Sequence, residues 1–400
     1  MMKSCGIIAE YHPFHKGHLY HLKEAKKQSQ ADIIVVVMSG QWMQRGEPAL
    51  INKHYRTQLA LYYGADLVIE LPWFYAVQSA DLFGQGAIHL LSCLGVDSFC
   101  FGTEDSGSFD YHQFAIEEKK AKSKLEQAFS EVNQNNTWSY PKKVAQAYQL
   151  VFPEYKHLFE QPNHLLGMAY ARANIHEEHT MKLYTLKRKK AAHRSKELGS
   201  IASGTAIRHA VLEKNTVSVA ESVPPKTKEV LDSVPIHQWE EYFPLLKYKV
   251  LTTPVEQLAQ IYQMTEGMEY RVKKAANICQ TFAEWLDFLA TARYTKARIQ
   301  RLSTYILMNT TNEEMQYSLC HPYIKVLGMT KEGQSFLKQT EATLPIITNI
   351  RKQNTQLKQS EEKYERIYTL WSEEEGFQKN YHPLIVEEAG QWNNNEKYHY

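Results

Sequence analysis

Apolar residues in the first hundred positions come in short unbroken runs separated by amphipathic stretches. Cys5–Ala9 is such a run; Pro13 and Gly17 punctuate the chain after it, and His18–Ser29 takes up helical spacing. Asp32–Met38 (DIIVVVM) is β-branched without alternation and ends at Ser39-Gly40, a pattern that suits a parallel strand covered on both faces. Lys53–Tyr63 has helical spacing and stops at Gly64, a residue type favoured just past a helix end. Leu67–Leu71 is a third strand halted by Pro72, Ser79–Leu94 a long helix and Ser98–Gly102 a fourth strand. This rhythm predicts an α/β fold with a doubly wound parallel sheet, in which ligands bind beyond the carboxyl ends of the strands near the switch in strand order. Three loops, Glu10–Gly17, Ser39–Pro48 and Gly102–Ser108, are expected to converge there.

Beyond about residue 110 the pattern turns helical, with a short extended piece near Lys182–Leu186. Asn215–Pro225 (NTVSVAESVPP) is polar and ends in two prolines, so it reads as a linker between a first domain, 1–214, and a second, 226–400. In the second, Lys226–Leu231, Val255–Met264, Glu269–Leu289, Ala297–Met308 and Lys331–Leu337 have helical spacing without a run of strands, which predicts a mostly α-helical C-terminal domain. The tail from Glu387 reads as weakly structured.

Composition narrows the class. A chain of 400 residues with 43% hydrophobic and 22% charged residues has the make-up of a globular protein with a sizeable core. Lys plus Arg is 46 against 44 Asp plus Glu, a net charge of +2, so only local clustering can speak to a nucleic-acid partner. The five cysteines are scattered and no pair has C-x-x-C spacing, which predicts neither a disulfide framework nor a dedicated metal site. No stretch approaches the roughly 20 apolar residues of a membrane span, and the N-terminus lacks a secretory pattern. A reducing, cytoplasmic setting is expected, without a membrane partner.

The strongest chemical signal is Gly6–His18 (GIIAEYHPFHKGH), where a buried strand leads through a Pro-containing loop into a helix. His15 and His18, three apart, share one face if the helix begins near His15. Gly17 leaves room for a phosphate near a helix N-terminus, whose free N–H groups and dipole favour anions. Two imidazoles at that end make a cradle for charge developing on an α-phosphate. An ordinary surface or core role would account for either histidine alone, and metal ligation would need a carboxylate or thiol at ligand spacing, which is missing beside the pair.

This strand–loop–helix resembles the HxGH nucleotidyltransferases. With MSGQWMQRGEPAL (38–50), GADLVIELPW (64–73), FGTE (101–104), QPNHLLGMAYARA (161–173), LKR (186–188), IASGTAIR (201–208), YTKARIQR (294–301) and YIKVLGMTKEG (323–333), the chain resembles the bacterial tRNA(Met) cytidine acetate ligase family over most of its length. The resemblance implies activation of acetate with ATP to acetyl-adenylate and pyrophosphate, then transfer of acetyl to the wobble cytidine of elongator tRNA(Met), giving N4-acetylcytidine. It implies an ATP site built from Ile7, Ile8, Ala9, Glu10, Tyr11, Pro13, Phe14, His15, Gly17 and His18, with His15 and His18 catalytic, and with Gly102, Asn163 and Arg188 as further contacts. Mg2+ would arrive with the ATP. Ser203, Thr205 and Arg208 resemble a late phosphate-capping element, though plain N-capping explains Ser203 and Thr205 equally well. Arg45 and Glu47 could order the loop over the site, contact acetate, or belong to a structural turn.

The family usually carries Asn where this chain has His12, Lys16 and Gln41, and Ser and Ala where it has Ala202 and Gly204. Those departures touch the hydrogen bonding around the nucleotide. For RNA, Lys187–Lys196 (KRKKAAHRSK) holds six Lys or Arg, and Arg293–Arg301 mixes three Arg with Lys296 and Tyr294. Lys189, Lys190, Arg293, Lys296, Arg298 and Arg301 are the candidate tRNA contacts, with a solvated helix face as the plainer account. Two rival functions share parts of this pattern: a small-molecule nucleotidyltransferase of cofactor biosynthesis, and a non-catalytic tRNA-binding protein.

Overall fold

A computed structural model describes residues 2–104, 109–135, 137–159, 161–188, 203–349, 355–371 and 382–392. Among the described residues, eight strands form one sheet: β1 (Ser4–Ala9), β2 (Ile33–Ser39), β3 (Leu67–Leu71), β4 (Ser98–Thr103), β5 (Lys182–Lys187), β6 (Ile324–Met329), β7 (Ile346–Ile347) and β8 (Leu384–Ile385). Their order is β5-β4-β1-β2-β3-β6-β7, with β8 also paired to β6. The first five are parallel. The chain winds outward from β1 to β3, then returns to place β4 on the other side of β1. That reversal opens the crevice in which α/β sheets bind ligands, and the His15–His18 helix start leaves β1 at that point.

Each predicted strand of the first half is present. In β2, Ile33, Val35 and Val37 face one core cluster, and Ile34, Val36 and Met38 the other. A strand buried on both faces has no alternation, which is why DIIVVVM reads as continuous.

The second half departs from expectation in two ways. Asn215–Pro225 is not an open linker: Asn215 caps a helix, Thr216–Ser222, and Val219 and Val223 are buried. Polar composition hid the two inward valines. Strands also return late. β6 pairs antiparallel with β3, and β7 and β8 pair with β6, so the sheet begun by β1 to β5 is finished by strands from the last fifth of the chain. Between these, the helices Trp239–Thr252, Met268–Ile278, Phe282–Leu289 and Lys296–Leu307 pack into a bundle. There Trp239 stacks on Phe282 at 4.2 Å, and Trp285 Nε1 donates to Ser303 Oγ at 2.9 Å. No helix among the described residues is long and apolar enough to cross a membrane.

The loop after β2 is the seam between sheet and bundle. Trp42 is buried against Trp73, Trp239, Tyr242 and Tyr368. The Gly46 carbonyl accepts from Trp239 Nε1 and Thr304 Oγ1, both at 2.8 Å. Gly46 has φ +81°, and a Cβ there would lie 2.7 Å from the Arg301 Cα, so both conformation and space require glycine.

A buried charge network fastens the same region. Lys53 binds both oxygens of Glu70 at 2.9 Å and also Glu365, while Lys325 binds Glu70 at 2.9 Å and Glu361. Burial alone would raise the Glu70 carboxyl, but Lys325 and Lys53 hold it down at about 2. Gln41 joins in, donating to Asn52 and Glu365.

Candidate functional site

His15 is the N-cap of the helix Lys16–Ser29. Its Nδ1 accepts from the Gly17 N–H at 3.0 Å and the His18 N–H at 3.3 Å, and His18 Nδ1 accepts from the His15 N–H at 3.2 Å. This reciprocal pattern is a capping box built from two imidazoles. The helix start is therefore closed by its own histidine instead of presenting all its N–H groups. Because each Nδ1 is an acceptor, each neutral ring carries its proton on Nε2. The rings stack with centroids 3.7 Å apart. Burial, with the Arg188 charge behind it, lowers His15 to about 4. Burial and the charges of His15, His21 and Arg188 push His18 well below the usual histidine range. At neutral pH the pair is uncharged and offers N–H donors to an anion.

The other residues implied for ATP divide by depth. Ile7, Tyr11 and Phe14 are buried, Phe14 stacking on Tyr63 at 5.0 Å and Tyr11 meeting the His18 ring edge-on at 4.9 Å. They support the histidines from behind. Ile8, Ala9 and Glu10 are half-buried at the end of β1, and Pro13 is buried in the loop. Tyr11 has φ +49°, a left-handed conformation uncommon for a bulky residue; it turns the chain sharply out of the strand.

From β4, β5 and the helix Pro162–Asn174 come the distant partners. Asn163 donates through Nδ2 to Glu104 and accepts through Oδ1 from Arg188. Glu104 thereby orients the Asn163 amide, and Asn163 holds the guanidinium near the histidines. Gly102 lies under Arg188, and a Cβ there would sit 3.3 Å from Arg188 Cγ. Glu104 is the last letter of FGTE in the sequence, and its acceptor role needs the fold.

The late motif reaches the same loop. Ser203 caps the helix Gly204–Leu212, accepting from the Ala206 N–H at 3.2 Å. Arg208 donates to the His12 carbonyl at 3.1 Å and to Thr205 Oγ1 at 3.3 Å, and pairs with Glu47 at 3.2 Å. His12 Nδ1 accepts from the Leu50 N–H at 2.9 Å, so its Nε2–H donates to Glu47 at 3.1 Å. Burial lowers His12 to about 4. Burial would raise Glu47, but the His12 hydrogen bond and Arg208 bring it to about 2. A neutral imidazole, a carboxylate and a guanidinium thus lock the Ser39–Pro48 loop to the loop after β1. Gln44 N–H adds a bond to Glu10 Oε1 at 2.7 Å.

Beneath both loops sits Arg56, fully buried, which sequence reading passed over. Its guanidinium donates to the carbonyls of Glu10 (2.9 Å), Ser39 (2.8 Å), Ile51 (3.1 Å) and Gly40. Nothing in its helical spacing marks it.

The candidate RNA contacts separate. Lys189 and Lys190 lie outside the described residues. Arg293 is exposed, Arg298 half-buried, and both guanidiniums lie over the Tyr294 ring, at 5.4 and 4.6 Å. Lys296 pairs with Asp287. Arg301 instead packs under the loop at Gly46, its Nε without a hydrogen-bond partner among the described residues. Burial lowers it, and the charges of Arg298 and Arg45 lower it further.

The buried histidines predict a pH response. His12, His15 and His237, the last buried against Tyr242 and Tyr368, stand at about 4, against 6.5 for an unburied ring. The unfolded chain takes up those protons first, so stability complete above about pH 6.5 is lost as pH falls toward 4, by up to roughly 3 kcal/mol per histidine. Melting temperature measured from pH 7 to 3 should fall through that window; a flat profile from 7 to 5 contradicts the assignment.

Residues 2–382 match the family model described as HIGH Nucleotidyl Transferase. The tRNA(Met) cytidine acetate ligase of Oceanobacillus iheyensis is 38% identical over 378 residues, spanning 92% of this chain and 94% of that protein. The protein of the same name from Halalkalibacterium halodurans is 40% identical over 364 residues, 87% of each chain. Among solved structures, Thermotoga maritima TmcAL bound with alpha-thio ATP aligns with a TM-score of 0.86 and 28% identity, covering 96% of this chain and all (100%) of that one. The likeness thus runs through both the capped His15–His18 helix start and the helical bundle, and the chain belongs to the tRNA(Met) cytidine acetate ligase family of HIGH nucleotidyl transferases.

Proposed function

We propose that the protein is an ATP-dependent ligase that activates acetate as acetyl-adenylate and transfers the acetyl group to the wobble cytidine of elongator tRNA(Met). The observation that carries the first step is the uncharged His15–His18 pair, its Nδ1 atoms fixed in the helix cap and Arg188 held beside it by Asn163. An acetate oxygen attacks the α-phosphorus of ATP and pyrophosphate leaves. Nε2–H donors and the guanidinium, already positioned, stabilise the added negative charge without reorganising. The cytidine amine then attacks the acetyl carbonyl and AMP leaves, with RNA docking shielding the mixed anhydride from water. Magnesium neutralises phosphate charge when bound.

RNA recognition is assigned to the helical segment within 226–400. What supports it is a group of guanidiniums, in which the charges of Arg298 and Arg45 act on the largely buried Arg301 beside Tyr305 and Tyr262. Such a cluster calls for a polyanion. Arg298→Glu together with Arg293→Glu should cut acetyl transfer to tRNA by tenfold or more, roughly the scale of losing two phosphate contacts, and leave acetate-dependent pyrophosphate exchange unchanged. Exchange falling in parallel would assign these residues to the fold. Arg301 is the poorer probe, because it supports the loop at Gly46.

Incubation with ATP, acetate and labelled pyrophosphate, with and without tRNA, tests the whole reading. Acetate-dependent exchange into ATP is expected. Exchange driven only by another acid or phosphate would favour a small-molecule nucleotidyltransferase, and none at all a tRNA-binding protein.

A further inference from the structure

At the opposite end of the strands, three side chains that the reaction does not use converge. His89 and Cys93 lie one turn apart on the helix Ala80–Cys93, and Glu177 follows the helix Pro162–Asn174 that packs alongside. His89 Nδ1 is 3.1 and 3.3 Å from the two Glu177 oxygens and 3.8 Å from Cys93 Sγ. One ligand atom from each residue falls within 4.8 Å of the other two. We propose that His89, Cys93 and Glu177 form a binding site for one zinc ion, with water as the fourth ligand.

Ligand chemistry and spacing support this together. A tetrahedral zinc with bonds of about 2.0–2.1 Å to nitrogen, 2.3 Å to sulfur and 2.0–2.2 Å to oxygen sets its ligands roughly 3.3–3.6 Å apart. The two edges at His89 are already close to that, and the Cys93–Glu177 edge is within 4.8 Å, so side-chain rotations can complete the site. Thiolate and imidazole select zinc over magnesium or calcium, which prefer all-oxygen shells. The i, i+4 placement on a helix fixes two ligands without help from the loop. The loop that brings the third is independently held: Ser92 Oγ donates to the His179 carbonyl at 3.0 Å, and the His179 ring meets the Val96 carbonyl at 2.9 Å. His89 keeps 32% of its side-chain surface, leaving a side open for water.

The position says what the ion would do. The helix Ala80–Cys93 ends just before β4 begins, whereas the nucleotide motifs lie past the far end of β4, roughly 20 Å away at about 3.3 Å per residue. The ion is therefore structural. It would tie the helix before β4 to the loop that enters β5, the strand that delivers Arg188. The sequence shows no such site, since Glu177 is 88 residues from His89.

The test uses the full chain, freed of metal by chelation and titrated with Co2+ as a spectroscopic substitute. One equivalent should bind with a thiolate-to-cobalt charge-transfer band and four-coordinate visible bands, both displaced by Zn2+. Cys93→Ser should abolish the charge-transfer band and weaken binding more than about 100-fold, beyond the 10–100-fold that an outer partner contributes; Cys320→Ser should change neither. In the wild type, Zn2+ should also protect Cys93, but not the exposed Cys320, from alkylation read by peptide mass mapping, which needs no variant to fold. Absence of the thiolate band, its survival in Cys93→Ser, or equal alkylation of Cys93 with and without Zn2+ would overturn the site and leave the cluster as a histidine–carboxylate ion pair.

Discussion

His18→Ala is expected to lower acetate-dependent pyrophosphate exchange by about two to three orders of magnitude, the scale of removing one positioned donor from a developing oxyanion, while tRNA binding stays within about twofold. The ring is half-buried, uncharged and oriented by the His15 N–H, the stacked His15 ring and the edge of Tyr11. Because the same ring also closes the helix cap, the variant needs a companion. His15→Asn supplies an N-cap oxygen for the Gly17 and His18 N–H groups but has no Nε2–H. It should keep the melting temperature within a few degrees and still lose exchange. If both variants lost exchange, tRNA binding and thermal stability together, the pair would be a cap and not a catalytic element.

Arg56→Ala is expected to have the largest effect on stability. The guanidinium is fully buried and serves four carbonyls drawn from the loops after β1 and β2 and from Ile51. Removing it leaves those acceptors unpaired in a low-dielectric interior, at about 1–3 kcal/mol for each that water cannot reach, besides a cavity. A loss of about 4 kcal/mol or more, read as a drop of roughly 5–10 °C in melting temperature or as insoluble expression, is the anticipated result. Arg56→Lys should recover little, since a single ammonium cannot fan out to carbonyls on separate loops. A variant as stable as the wild type would mean that water replaces the guanidinium. Exchange activity in any soluble fraction should also fall, because Glu10 and the Ser39–Pro48 loop lose their common anchor.

The legible and illegible parts of this chain differ by physical cause. DIIVVVM was legible because burial on both faces of a central strand forces an unbroken apolar run. β6 was not: YIKVLGM carries Lys325 within the strand, and that lysine is tolerated only because Glu70 and Glu361 meet it inside the protein. The helix Thr216–Ser222 was hidden by polar residues around two buried valines. At the site, spacing alone pointed to His15, Gly17 and His18, and motif likeness to Asn163 and Arg188. Glu104, Arg56 and the His12–Glu47–Arg208 lock act through contacts between residues far apart in the chain.

By itself, then, the sequence determined the parallel sheet, the loop that carries the two histidines and the family likeness, since each is a matter of local periodicity or contiguous motif. Tertiary structure alone decided which charges are buried, which ring nitrogens carry protons and which arginine is a loop support and which a surface cation. Protonation and pairing depend on desolvation and on partners at a few ångströms, and those exist only once the chain has folded.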